Sequence, residues 1–138
     1  MADLSITAAN VGVASSTCKT VTVQAGEAIT RGMAVYLDGT NSNKAMKALN
    51  TAAASTTIYG IANDEAAADG DYISVITTGT IKTGASMTVG QAYYLSTNAG
   101  KICPFADLNT SDYINLVYRA ATSTTAKMVL ENSGIQSP

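Results

Sequence analysis

The sequence predicts an all-β protein: a compact β-barrel or sandwich built from two similar halves, with an extended N-terminal arm. Three observations point there. Apolar runs are short, rich in β-branched and aromatic residues, and punctuated by Gly, Asn, Asp and Ser. No stretch carries a long helical apolar period, so helix content should be low. And one segment recurs: Gly26-Glu27-Ala28-Ile29-Thr30-Arg31-Gly32-Met33-Ala34-Val35-Tyr36-Leu37 aligns without gaps on Gly84-Ala85-Ser86-Met87-Thr88-Val89-Gly90-Gln91-Ala92-Tyr93-Tyr94-Leu95. Both Gly, the Thr, the Ala, the Tyr and the Leu are identical, at a spacing of about 58 residues.

The order persists past this block. With a one-residue shift, Leu49-Asn50-Thr51 falls on Leu108-Asn109-Thr110 and Ile58-Tyr59 on Val117-Tyr118. Each copy opens with a strand, Thr20 to Gln24 or Thr80 to Thr83, followed by a Gly that accepts positive φ and turns the chain. A second Gly sets another bend before the apolar runs Ala34 to Leu37 and Ala92 to Leu95, short enough to be buried strands. Polar turns lead to weaker strands near Lys44 to Ala48 and Lys101 to Phe105. Further strands are expected at Ile58 to Ala62, Tyr72 to Thr77, Ile114 to Tyr118 and Ala126 to Glu131. Asn63 to Asp71 reads as a loop ending in an Asp-Gly turn, with a single helical turn through Asp64 to Ala68 as an option. The domain boundaries follow: an arm over residues 1–17, a barrel over 18–131 whose repeat covers about 26–77 and 84–131, and a tail over 132–138.

Composition narrows the function. Charged residues make up 13%, about half the usual share, and Ser, Thr, Asn and Gly replace them. A surface so poor in charge suits burial in an assembly better than life as a free monomer. The eight basic residues are scattered singly and net charge is −2, so phosphate neutralisation has nothing to work with and nucleic-acid binding is not expected. No apolar run reaches the length of a membrane span, and the N-terminus lacks the basic start and apolar core of a secretion signal. A protein made in the bacterial cytoplasm is expected. Cys18 and Cys103 would pair only if the fold brought them together, and each reads better as a small buried apolar residue.

Reactive constellations are scarce. His is absent, which removes the Ser-His-Asp and Cys-His arrangements and the commonest neutral-pH base. The dense acidic cluster Asp64, Glu65, Asp69 and Asp71 lies among Ala residues and lacks the apolar wall that raises one carboxyl pKa for acid–base work. It could offer oxygens to Ca²⁺, but its spacing is not that of an EF-hand, and a solvated acidic turn is the simpler reading. Two distant Cys suit zinc poorly, and no phosphate-binding Gly loop with a following Lys exists. No enzyme, no metal and no cofactor are expected. Tyr is the enriched aromatic, seven against one Phe, and its apolar body with a polar tip suits interfaces. Tyr36 and Tyr94, equivalent in the repeat, are expected in the core; Tyr93 and Tyr113 are the candidates for a subunit boundary, with half-buried sheet positions as the plain alternative.

The blocks Met1 to Val11, Gly26 to Asp38, Tyr59 to Ala62, Gly70 to Val75 and Gly90 to Ser96, in that order, resemble a family of small tailed-phage virion proteins described as capsid decoration, cement or head-fibre proteins. The resemblance runs to about Leu130. It implies a virion protein on the capsid exterior, a β-rich body, homotrimers at threefold or quasi-threefold positions on the major capsid protein, and no catalytic residues. For such a role the arm, with Leu4, Ile6, Val11 and Val13 as apolar anchors, is expected to order against the capsid or a neighbouring subunit. Related repeats occur in tail fibres, so the alternative is a tail- or fibre-associated module that binds a host surface through loop tips such as Tyr113 with Asn109 and Asp112.

Overall fold

The computed structural model describes residues 3–52 and 55–136. Its strands are β1 (Val11–Val13), β2 (Lys19–Gln24), β3 (Ala34–Asp38), β4 (Lys44–Lys47), β5 (Gly60–Ala62), β6 (Tyr72–Thr78), β7 (Thr80–Thr83), β8 (Ala92–Leu95), β9 (Ile102–Pro104), β10 (Tyr113–Ala120) and β11 (Thr125–Gln136). They form two antiparallel sheets, one of five strands ordered β2-β6-β5-β3-β4 and one of six ordered β1-β7-β11-β10-β8-β9. The architecture is an all-β sandwich. Helical structure among the described residues is confined to 3-10 turns such as Ala8–Asn10 and Phe105–Asp107.

Setting β1 aside, the two sheets have the same order, strand for strand: β2 corresponds to β7, β3 to β8, β4 to β9, β5 to β10 and β6 to β11. The register corresponds too. Ala34 lies opposite Ile61, and Ile61 opposite Ile76; Ala92 lies opposite Arg119, and Arg119 opposite Lys127. Loop bonds follow suit: Gly32 N–H donates to Ala62 O and Ala62 N–H to Met33 O, as Gly90 N–H does to Ala120 O and Ala120 N–H to Gln91 O. This register aligns Gly60 with Tyr118, because they face Val35 and Tyr93, so the expected one-residue shift at Ile58-Tyr59 is not needed there.

The sheets stack with unlike faces. The face of the five-stranded sheet that carries Ala34, Ile61 and Ile76 packs into the main core with Tyr93, Leu95, Tyr118, Ala120, Ala126 and Ile81 from the six-stranded sheet. In the first half, the residues equivalent to Tyr93, Ala120 and Ala126 are Val35, Ala62 and Val75. These lie on the sheet's opposite side, in a second core closed by Ala25, Ile29 and Ala66 from the connecting loops. That cover comes from the segment between β2 and β3 together with the 63–71 connection, which is longer than its counterpart between β10 and β11 and bridges Ile29 through Ala66. Burying a side chain such as Ile61 or Ile76, both essentially inaccessible, contributes about 1.5–3 kcal/mol each. The main core therefore dominates the apolar term.

Three expectations are corrected, and the option of a helical turn within the 63–71 loop is removed. Residues 11–13 of the arm form β1, paired with Thr83, Lys82 and Ile81, because the outer edge of β7 has open ladder groups that a neighbouring extended segment can satisfy. The tail over 132–136 is the end of β11, hydrogen-bonded to β10 as far as Gln136 opposite Tyr113; its last two residues lie outside the described residues, as do the first two of the arm. Asp64 to Ala68 forms bends rather than a helical turn, since Ala66 N–H and C=O are both taken by Ile29. And of the adjacent tyrosines, Tyr93 is the core residue, 3% exposed, while Tyr94 points to the outer face. Strand alternation decides this: Tyr93 shares its face with Leu95 and Tyr118.

Candidate functional site

The surface is organised by three features: a seated arm, an acidic loop and a basic sheet face. The arm crosses its own body. Leu4 N–H donates to Ile102 O at 2.7 Å, Thr7 N–H to Gly84 O at 2.8 Å, and Arg31 Nη2 to Val11 O at 2.7 Å. Glycine makes room beneath it. Gly32 and Gly84 have φ of +92° and +77°, and a Cβ on Gly32 would lie 2.8 Å from Ile6 Cγ2 and 3.0 Å from Val11 Cγ2. Of the four expected anchors, Val11 is buried, Leu4 and Ile6 are half-buried against the same chain, and only Val13, 43% exposed, presents a free side chain. The arm's apolar residues thus serve the fold first. Sequence alone hides this, because the seat is assembled from glycines far away in the chain.

The acidic loop directs two of its four carboxylates at backbone. Asp64 Oδ2 accepts from Ser74 N–H at 2.8 Å, and Asp71 Oδ2 accepts from the N–H groups of Ala67 and Ala68. Asp69 Oδ1 pairs with Lys44 Nζ at 2.9 Å across the surface, and Glu65 is exposed. These are turn-stabilising contacts of charge-assisted type. Among the described residues no group of three or more His, Cys, Asp or Glu is arranged to hold a metal ion. No helix there is long and apolar enough to cross a membrane.

The outer face of the six-stranded sheet carries the third feature. Arg119 and Lys127 are directly opposite cross-strand neighbours. Lys82 faces Thr125, two residues along the same face from Lys127. All three are exposed, and among the described residues none has a carboxylate partner. Two shallow depressions border the group, one of about 630 Å³ reaching Lys82 and Thr125 from the arm, the other of about 560 Å³ between Arg119, Lys127 and Val129. At the far end the same face turns aromatic, with Tyr94 and Phe105 edge to face at 5.4 Å. Sequence reading missed the cluster because its members are dispersed along the chain. The repeat held the signal: the positions of Ile61 and Ile76 in one half are those of Arg119 and Lys127 in the other.

Inside, burial favours the neutral form of two groups. Burial pushes the Cys103 thiol up to about 12, with Asp3 and Asp107 adding to the effect. Burial likewise raises Tyr118, whose ring lies 6.3 Å from that of Tyr93. Both cysteines are free thiols. Tyr93 is therefore corrected from a boundary candidate to a core residue, its hydroxyl accepting from Thr88 N–H. Tyr113 remains half-exposed at the far end of the sandwich, its N–H donating to Asn50 O. There polar contacts around the buried Asn115 tie Thr56 and Ile58 to the end of β11: Asn115 Nδ2 donates to Thr56, Asn115 Oδ1 accepts from Ser133 N–H, and Asn132 Oδ1 accepts from Ile58 N–H. Comparison with protein-family models, curated proteins and solved structures returns no match to this chain.

Proposed function

We propose that this chain is a structural virion protein that binds the exterior of a tailed-phage capsid and stabilises it as a homotrimer, in contact with the major capsid protein. What carries the reading, beyond the resemblance of its sequence blocks, is how the body is closed. The arm, the acidic loop and the tail all hydrogen-bond back onto the sheets, leaving a rigid block whose free charges sit on its outer surfaces. In the acidic loop, the carboxylates of Asp64 and Asp71 accept from backbone N–H groups. A body of this kind adheres. A ligand that binds the assembled shell and not its free subunits stabilises the shell by about 2.7 kcal/mol per site at one hundred times its Kd. Repetition over the lattice makes modest single contacts sufficient.

The test is to mix the purified protein with capsids that lack it and image the product, with capsid melting measured alongside. Density repeated over the whole head and a raised capsid melting temperature are expected. Label confined to one vertex of purified virions would assign the protein to the tail, and absence of head binding would end the proposal.

A further inference from the structure

We infer that the basic face of the six-stranded sheet is a docking surface for a second copy of this chain, and that its counterpart is the acidic 63–71 loop. This goes beyond the proposed function by naming two faces through which copies meet, and it rests on that reading only for the presence of more than one copy. The starting point is the corresponding register of the two sheets. At one pair of positions the first half places Ile61 opposite Ile76, in the main core; the second half places Arg119 opposite Lys127, on the outside. Like charges directly across a strand pair destabilise it. With Lys82 beside them, three of the chain's eight basic residues share one face without a carboxylate partner among the described residues. In a chain of net charge −2, that concentration asks for an anion.

The complementary charge lies at the other end of the stack. The layers run from the 63–71 loop through the second core and the five-stranded sheet to the main core and the six-stranded sheet, whose outer face carries the cations. Asp64, Glu65, Asp69 and Asp71 are all exposed on the loop, with Lys44 as the one cation paired among them. The loop surface thus carries an excess of carboxylates, and the outer face of the six-stranded sheet an excess of cations, three against the single Glu131. Two copies oriented alike bring these surfaces together in a head-to-tail contact between unlike faces, which closes into a ring only where each copy is rotated against the next. Potentials of this kind steer association and suppress the like-to-like arrangement.

Two charge-reversed proteins test this. Arg119→Glu with Lys127→Glu removes the basic face; Glu65→Lys with Asp69→Lys reverses the loop while keeping the backbone caps of Asp64 and Asp71. Solution mass by analytical ultracentrifugation should show the wild-type chain self-associating. Each variant alone should associate at least about tenfold more weakly, and an equimolar mixture should regain association, since the acidic loop of one meets the basic face of the other and the two reversed faces are complementary as well. If a variant fails to fold, the wild-type protein still decides. Its association should weaken steeply as NaCl rises from about 0.05 to 0.5 M, where screening shortens to a few ångströms. Its exchanging amides should become protected around Glu65 and Lys127 together. A monomeric wild-type protein, variants that associate unchanged, a mixture that stays monomeric, or salt-insensitive association without protection at those sites would overturn the inference. Loss of capsid binding by the Arg119/Lys127 variant with self-association intact would also overturn it, assigning the basic face to the capsid and leaving the proposed function standing.

Discussion

Replacing Gly32 and Gly90 by Ala, one at a time, separates the energy of seating the arm from the energy of a backbone turn. The two glycines occupy corresponding positions, with φ of +92° and +83°, and each donates its N–H to the corresponding carbonyl, Ala62 or Ala120. Any L side chain in this region costs about 1–2 kcal/mol, so both variants lose that much. Their surroundings differ. A Cβ on Gly90 meets nothing within 4 Å, whereas on Gly32 it lies 2.8 Å from Ile6 and 3.0 Å from Val11. Overpacking of that kind adds about 1–3 kcal/mol. Gly32→Ala should therefore lose about 2–5 kcal/mol against about 1–2 for Gly90→Ala. In urea, at a slope of about 2 kcal/mol/M, the extra loss lowers the midpoint by about 1 M. Hydrogen exchange gives the location: the amides of Leu4 and Thr7, bonded to Ile102 and Gly84, should lose protection in Gly32→Ala and keep it in Gly90→Ala. Equal midpoints for the two variants, with the arm amides unaffected, would refute the seat.

Two further outcomes follow from buried groups. Asn115→Ala should cost about 1–3 kcal/mol in chemical denaturation, because the buried Thr56 carbonyl is left without its partner and the Ser133 N–H loses its acceptor; Asn115→Asp, which cannot donate to Thr56, should be no better. Stability should fall at alkaline pH. The Cys103 thiol is raised from 9.0 to about 12, so its contribution is intact below pH 9 and is lost as pH climbs towards 12. Tyr118 and Tyr36, both raised by burial, slope in the same direction at higher pH. Thermal melts from pH 7 to 11 on the wild-type chain and Cys103→Ala check it, the variant showing a shallower decline between pH 9 and 11; identical slopes would contradict the assignment.

Much of the fold is legible in the sequence because strands announce themselves locally. Thr80–Thr83 and Ala92–Leu95 are bounded by Gly and polar turns, and the structure gives those same bounds. What escapes is decided by partners distant along the chain. Val11–Val13 is three residues in an Ala-, Ser- and Thr-rich stretch, and it is a strand because the edge of β7 is open beside it. Residues 132–136 carry little apolar signal and are extended because β10 continues alongside. The sides of Tyr93 and Tyr94 turn on which face of the sheet meets the other sheet, and alternation alone leaves both choices open. The candidate surfaces were least visible. Charges scattered singly along the chain converge only when β7, β10 and β11 lie side by side.

The unlike-face stacking also makes the two halves non-interchangeable, however similar their sequences. A chain built from two first halves would expose the isoleucines of β5 and β6 to water on its outer side. A chain built from two second halves would drive a guanidinium and an ammonium into the centre of the molecule, unpaired. Equivalent codons in this gene are thus held to opposite chemical demands, and exchange of segments between the halves breaks the protein at the very positions where their backbones agree best.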